Sequence, residues 1–175
     1  MLFGTTTTSY TESASSFGAL RGFAGLWDDL YAYTGDISVA YHDATAHGFY
    51  WNSIPQYGVY TDSHTFAVVL LDGGLAFMYW EELAATDGLV GFSCGSSATS
   101  TEIDITTEMA NLPYGAPGIG NGVEDFEHEL FGSDNDLDYT HAFFCVPNGS
   151  SDADGDGWTV DCGDSDDADA SVYPY

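Results

Sequence analysis

The chain has 175 residues and a formal net charge of -27, because 28 acidic residues face a single basic residue, Arg21. This balance excludes nucleic acid as a partner, since phosphate contacts need several lysines or arginines, and it disfavours an anionic membrane surface. A hydrophobic fraction of 44% still indicates a folded domain with a sizeable core. The uncompensated charge must be offset by salt screening or by bound cations.

The first third of the chain favours strands. Residues 3–24 are rich in Thr, Ser, Gly and Phe, which suits strands and turns better than helix. Residues 26–33 predict one helical turn or a strand edge. Short strands are expected at 37–42 and 48–51, and the proline-containing residues 54–58 are expected to form a loop.

A hairpin is the clearest predicted unit. Residues 64–71 and 75–80 are runs of β-branched and aromatic residues, separated by Asp72-Gly73-Gly74, which is a strong turn signal. Both runs are apolar at nearly every position instead of alternating. We therefore expect cover on both faces, as for the central strands of a sandwich.

The second half predicts further strands at 88–93, 103–106 and 141–146, with a long irregular connection over residues 107–123. The total is about nine short strands, with no amphipathic helix of three turns. The predicted fold class is all-β, an antiparallel β-sandwich with long loops and a C-terminal acidic metal-binding loop. We place the sandwich domain at residues 1–147 and an acidic calcium-binding tail at residues 148–175.

The three cysteines, Cys94, Cys145 and Cys162, lack the CxxC or CxxH spacing of a zinc site. They predict one disulfide and one remaining thiol. A bridge between Cys145 and Cys162 would tie the tail to the body. Cys94 with Cys145 is the competing pair, and the spacing does not choose between them.

The aspartate tail, residues 152–169, holds eight aspartates within eighteen residues. Its start alternates carboxylates and reaches Gly157, as in loops that wrap oxygen ligands around a hard cation. An EF-hand would place a bidentate glutamate at the twelfth position, which is Gly163 here, so that template fails at its end. The predicted Ca²⁺ ligands are Asp152, Asp154, Asp156, Trp158 through its carbonyl, Asp161, Asp164, Asp166 and Asp167.

The competing interpretation of this tail is a disordered acidic segment, which is common for runs of like charge. Against it stand four apolar anchors that a solvated tail does not need, namely Trp158, Val160, Val172 and Tyr173. Calcium is favoured over magnesium, because flexible carboxylate loops suit the larger ion.

Several weaker motifs have ordinary explanations. Ser93 lies in a GxSxG match, but a Ser/Thr-rich loop follows it and no α/β pattern surrounds it. Residues 133–138 alternate oxygen ligands and form either a second cation site or an exposed turn. A capping or calcium role suits Asp28 and Asp29 better than glycosidase chemistry. Asn148 begins a glycosylation sequon, and the five histidines show no paired metal-binding spacing.

Four segments of the body resemble the landmarks of nidogen-like extracellular domains in secreted bacterial proteins. They are GLWDDL at 25–30, FYWNSIPQYG at 49–58, the hairpin at 64–80 and GLVGFS at 88–93. The resemblance covers roughly residues 1–147. It implies an extracellular β-rich module with interaction roles and carries over no catalytic residues.

The tail resembles the acidic metal-binding repeat of secreted bacterial proteins, which runs DxDGDG, GDCDD and YPG, and it is similar to thrombospondin type 3 calcium repeats. Residues 152–157, 163–167 and 172–174 match its three parts. Ser165 stands where the repeat has cysteine, and Tyr175 replaces the final glycine. The disulfide of the repeat is therefore not carried over, and Cys162 is the candidate substitute.

The predicted location of the protein depends on the calcium-binding tail. Residues 1–10 lack the basic start and apolar segment of a signal peptide, so the chain is either cytosolic or the mature portion of an exported protein. We favour the cell surface or extracellular space, because weak aspartate loops suit millimolar extracellular calcium. Adaptation to high salt would give the same charge balance. No run of eighteen apolar residues predicts a membrane span.

The leading functional hypothesis is a non-enzymatic, calcium-stabilised structural or adhesive module that binds calcium and associates with itself or with other extracellular proteins and glycans. Residues 3–10 are strand-like and could pair with an edge of a neighbouring subunit in a surface fibre, or within their own subunit. The second hypothesis is a glycan- or protein-binding module that uses exposed aromatics among Tyr50, Tyr57, Tyr60 and Trp80. The third is a hydrolase that uses Ser93 or the two adjacent aspartates.

Overall fold

The structure is a computed structural model, and it describes residues 12–43, 45–71, 75–95, 101–112, 119, 126–131, 135–145, 153–155, 159–162 and 164–172. In these residues nine strands form two sheets with a main hydrophobic core and a smaller second cluster around Phe17 and Trp27, which confirms the all-β, sandwich-like fold. Within the same residues, no helix is long and apolar enough to cross a bilayer.

The first sheet has four strands, in the spatial order β1 (Arg21–Trp27), β6 (Gly88–Cys94), β8 (Phe126–Phe131) and β7 (Thr101–Glu102). Its neighbours are antiparallel except β7 and β8, which are parallel. Arg21, the one basic residue of the chain, begins the edge strand β1 and lies opposite Cys94.

The second sheet has five antiparallel strands, in the order β2 (Asp36–His42), β3 (Ala46–Gln56), β4 (Val59–Leu71), β5 (Leu75–Leu83) and β9 (Thr140–Cys145). The predicted hairpin is confirmed as β4 and β5, which lie inside this sheet, although its turn at 72–74 lies outside the described residues. One face of the pair is buried over most of its length and the other is half-buried, so the expected cover on both faces is found on one side only.

The core lies between the sheets. Phe66 and Trp80 project from the second sheet toward Phe92 of the first. Gly25 of β1 allows a close approach of the two sheets, because a Cβ there would lie 2.7 Å from the side chain of Val68. The indole N–H of Trp80 donates to the Gly25 carbonyl at 2.6 Å, which satisfies a buried polar group and links the two sheets.

Two short helices replace expected strand or turn. α1 (Ala14–Gly18) begins after Ser13, whose hydroxyl accepts from the Ser16 N–H at 3.3 Å. α2 (Ile105–Asn111) begins after Asp104, whose carboxylate accepts from the Thr107 N–H at 2.8 Å. The strand predicted at 103–106 was therefore wrong, because helix capping outweighs the β-propensity of the Ile and Thr residues.

Two further differences concern β3 and β8. The loop predicted at 54–58 is wrong for Ile54, Pro55 and Gln56, which belong to β3, and the turn is confined to Tyr57 and Gly58. Gly58 has φ +84, a left-handed conformation that suits glycine in a two-residue hairpin turn. β8 was not predicted, since its sequence FEHELF carries three charged or titratable residues in succession.

Candidate functional site

The aspartate tail is covalently joined to the sandwich. A disulfide links Cys145, at the end of β9, to Cys162 in a 3₁₀ turn at Val160–Cys162. This selects the first of the two predicted pairings and excludes Cys94 with Cys145. Both bridged cysteines are fully buried, so this part of the tail packs as an extension of the folded body.

Asp164 occupies the most unusual position in the tail. It is 1% exposed, and its Oδ1 accepts from the Asp166 N–H at 2.9 Å. Its Oδ2 is buried and has no hydrogen-bond partner among the described residues; the same holds for the Thr159 hydroxyl. A buried carboxylate oxygen is costly unless a cation or a donor meets it. Asp164 therefore fits the role of a cation ligand.

The structure describes only some of the other predicted tail ligands. Asp167 accepts from the Ala153 N–H at 3.0 Å, which brings the second half of the loop to its start. Asp154 is half-buried and Asp166 is exposed, while the side chain of Asp161 is not described. Asp152, Asp156 and Trp158 lie outside the described residues.

The fold assembles a second acidic group, the carboxylate triad of Glu12, Asp28 and Asp29. One oxygen of each residue lies within 4.8 Å of the others, close enough for a single cation to contact all three. It is the one cluster of this kind within the described ranges. Asp28 and Asp29 directly follow β1, and Glu12 precedes α1. Glu12 carried no signal in the sequence, because it is distant from the aspartates along the chain.

The negative charge of the triad is partly compensated by hydrogen bonds from Gln56, at the end of β3. Its side-chain amide donates to Asp28 Oδ1 at 3.2 Å and to Asp29 Oδ1 at 3.5 Å. Asp28 Oδ2 is buried and has no partner among the described residues. Burial, together with a side-chain hydrogen bond and the neighbouring charge of Asp29, raises the pKa of Asp28 to about 7. A bound cation would offset this repulsion, which agrees with the calcium role predicted for the aspartate pair, one of the two alternatives beside capping.

Next to the triad lies the tyrosine platform, which we define as Tyr31, Tyr33, Tyr57 and Tyr60. The Tyr31 ring centroid lies 5.1 Å from that of Tyr33, 6.0 Å from that of Tyr57 and 4.9 Å from that of Tyr60. Tyr57 is 62% and Tyr60 59% exposed. The sequence predicted Tyr57 and Tyr60 as binding residues but not Tyr31 and Tyr33, which come close to them only through the fold.

Two aromatics predicted as exposed do not belong to this surface. Trp80 is fully buried, so its prediction as a ligand-binding residue was wrong; it is a core residue between the sheets. Tyr50 is half-buried on β3, and its hydroxyl lies 3.5 Å from a carboxylate oxygen of Glu81.

The remaining motifs are structural in position. Ser93 is buried within β6, and its hydroxyl donates to the Gly18 carbonyl at 3.2 Å. In residues 133–138, Asp138 Oδ1 accepts from the Leu83 N–H at 2.6 Å, and the Asn135 amide donates to the Leu83 carbonyl at 3.1 Å. These oxygen-bearing side chains fasten the loop to the end of β5.

The histidines separate into different environments. His42 and His47 face each other across β2 and β3, with their Nδ1 atoms 2.6 Å apart, and both are exposed. They join no third ligand among the described residues. His64 is fully buried, and burial lowers its pKa, so it is a neutral core residue.

The chain matches no protein-family model, no curated protein and no solved structure. The chemistry of the tail, the triad and the tyrosine platform is therefore the basis for inferring function.

Proposed function

We propose that this protein is a non-enzymatic extracellular structural or adhesive module whose acidic tail is held by calcium. The observation that supports it most directly is Asp164, a predicted ligand that is 1% exposed and presents a buried carboxylate oxygen without a hydrogen-bond partner among the described residues. A divalent cation would neutralise that oxygen and draw the neighbouring carboxylates together.

The charge of the whole chain supports the same proposal. With 28 acidic residues and one basic residue, ion pairs cannot offset the self-repulsion of the fold. Calcium supplies the missing positive charge where carboxylates are densest along the chain. The Cys145–Cys162 disulfide keeps that loop against β9, so cation binding and sandwich stability are coupled.

Self-association is the second part of the proposal. β2 is an edge strand with β3 as its one strand neighbour in the described part of the chain, and it exposes Ile37 and Val39, the latter by 63%. An edge with exposed β-branched residues is a template for strand addition. We propose that β2 accepts residues 3–10 of a neighbouring copy, a segment that lies outside the described residues.

Thermal unfolding of the full chain, followed by circular dichroism in millimolar calcium and in excess EGTA, tests the metal proposal. Calcium is expected to raise the Tm of the wild type, and Asp164→Asn is expected to lose most of that gain. Asp169→Asn is the matched control, because Asp169 is an exposed aspartate of the same tail that is not a predicted ligand. Terbium luminescence, sensitised by Trp158 of the predicted loop and competed by calcium, reports binding directly.

Equal Tm values in calcium and EGTA would contradict the proposal, as would an Asp164→Asn variant that keeps the full calcium response. The assembly part has its own test in electron microscopy of the wild type, of a chain lacking residues 1–11, and of Val39→Lys. Filaments are expected only from the wild type. Their absence there, or their survival in both variants, would rule out strand addition at β2.

A further inference from the structure

We propose that the tyrosine platform and the cleft beside it bind a neutral saccharide. The cleft has a volume of about 490 Å³ and lies against Tyr31 and Tyr60. This volume falls within the roughly 300–1,000 Å³ of small-molecule sites. Its other lining residues supply three hydroxyls and one carboxylate beside a proline; they are Thr34, Ser53, Ser63, Asp62 and Pro55.

The mixture of groups matches the chemistry of a sugar. A pyranose ring has an apolar face of C–H groups and a rim of hydroxyls. Tyrosine rings offer flat apolar area with a polar tip, and they cost little conformational entropy when a ligand binds. The three hydroxyls can donate to and accept from a hydroxyl rim, and the Asp62 carboxylate can accept from it.

Charge narrows the class of ligand. Asp62 lines the cleft, and the net charge of the chain is -27, so a phosphorylated, sulfated or uronic-acid ligand would be repelled. An organic cation is the alternative that charge alone would allow. A cation cage, however, needs several ring faces around one space, whereas the Tyr31 ring packs directly on those of Tyr33 and Tyr60 at 5.1 and 4.9 Å. The rings pack on one another with interplanar angles of 39 to 82° and do not surround a space for a cation, and this favours the saccharide.

The platform is held by its backbone before any ligand arrives. The Tyr31 N–H donates to the Pro55 carbonyl, and the Tyr57 N–H donates to the Asp29 carbonyl, each at 2.7 Å. These bonds and a bridge between Leu30 and Gln56 join the segment after β1 to the tip of the β3–β4 hairpin. Preorganisation of this kind lowers the entropic cost of binding.

The floor of the cleft is a β-bulge. Trp51 pairs with Phe66 and Ile54 pairs with His64, so two residues of β3 face one residue of β4. Ser53 in this bulge has φ 53, and its N–H donates to the Thr65 hydroxyl at 3.1 Å. Bulges and left-handed non-glycine residues are features that concentrate at binding sites, where they redirect side chains.

The first experiment is an array of immobilised neutral glycans probed with the full chain, followed by calorimetric titration of the soluble form of each glycan bound. Tyr60→Ala and Asp62→Asn are expected to weaken binding, the tyrosine change by about tenfold, the effect of one lost aromatic contact. Tyr139→Ala is the matched control, because Tyr139 is an exposed tyrosine outside the cleft lining.

The proposal is overturned if no neutral glycan binds, if binding is unchanged in both cleft variants, or if tetramethylammonium binds the cleft in preference to sugars. The titrations are performed in calcium and in EGTA. Sugar binding in a chain whose Tm ignores calcium would reject the calcium proposal and leave the saccharide site standing, so the two failures are distinguishable.

Discussion

The aspartate tail and the carboxylate triad are both acidic, but their carboxylates differ in how many hydrogen-bond donors surround them. In the tail, oxygens of Asp164, Asp167 and Asp169 accept hydrogen bonds from backbone N–H groups of the same segment. Hydrogen bonds from Ser171 lower the pKa of Asp169. In the triad, carboxylates face one another, and burial raises the pKa of Asp28 to about 7.

Charge density along the chain is therefore a poor guide to where charges oppose each other most strongly. A loop with many aspartates supplies its own donors, since each Asx turn aims an N–H at a carboxylate. The triad has one local donor, the Asp29 N–H, which donates to Asp28 Oδ1 at 2.6 Å, while Asp28 Oδ2 has no hydrogen-bond partner among the described residues. Gln56 provides the triad with one side-chain amide for two aspartates.

The largest effect is expected from separating the tail from the body. A chain carrying both Cys145→Ala and Cys162→Ala should lose about 3 kcal/mol of unfolding free energy, because the bridge closes a loop with a sequence separation of 17. Urea denaturation measures the loss, and wild type treated with dithiothreitol should reproduce it. Unchanged stability in both samples would show that the disulfide adds nothing to the stability of the sandwich.

Asp28→Asn should instead increase the stability of the protein. The folded state holds a proton on Asp28 more tightly than the unfolded state does, so wild-type stability falls as the pH rises from about 4 to about 7 and is lowest above that range. In EGTA above neutral pH, the variant should be more stable by about 2 kcal/mol, after allowance for solvent screening of this partly buried group. Its pH slope should also be flatter.

Thermal melts of wild type, Asp28→Asn and the tail control Asp169→Asn across this pH range provide the measurement. Asp169→Asn should follow the wild-type slope, because the Asp169 carboxylate is exposed and bonded to Ser171. Parallel slopes for wild type and Asp28→Asn would show that the triad is not the source of the pH dependence.

Glu12→Gln should give the smallest effect. It removes one negative charge that opposes ionisation of Asp28, and this charge contributes less to the raised pKa than burial and Asp29 do. In EGTA the expected gain in stability is about 0.5 kcal/mol, the size of an exposed charge pair. A carbon-13 NMR titration of the Asp28 carboxyl should show a lower pKa in the variant. An unchanged pKa of Asp28 would show that the charge of Glu12 does not act on it.

The fold was predictable where local patterns agreed with the tertiary structure. The hairpin of β4 and β5 combines apolar runs with a glycine turn, and the interval of the strands indicated a sandwich. The helices at Ala14–Gly18 and Ile105–Asn111 escaped prediction, because each is short and depends on a single capping side chain. β8 was hidden by its acidic residues, which break the apolar pattern of a strand.

The candidate sites were likewise predictable where their residues are close in sequence. The tail was visible because its predicted ligands are neighbours in sequence, and Asp164 was among them. Glu12 and Tyr31 were not visible as site residues, since each reaches its cluster through contacts between α1, β1 and the β3–β4 hairpin. Trp80 was misassigned because composition does not tell which face of a strand meets the core.

Arg21 has a practical consequence that follows from its place in β1. Trypsin cuts after lysine and arginine, so this 175-residue chain offers it a single cleavage point. The Arg21–Gly22 peptide is paired with β6 at the edge of the first sheet. Cleavage therefore requires that edge to detach, and the rate at which two fragments appear reports the free energy of that local opening.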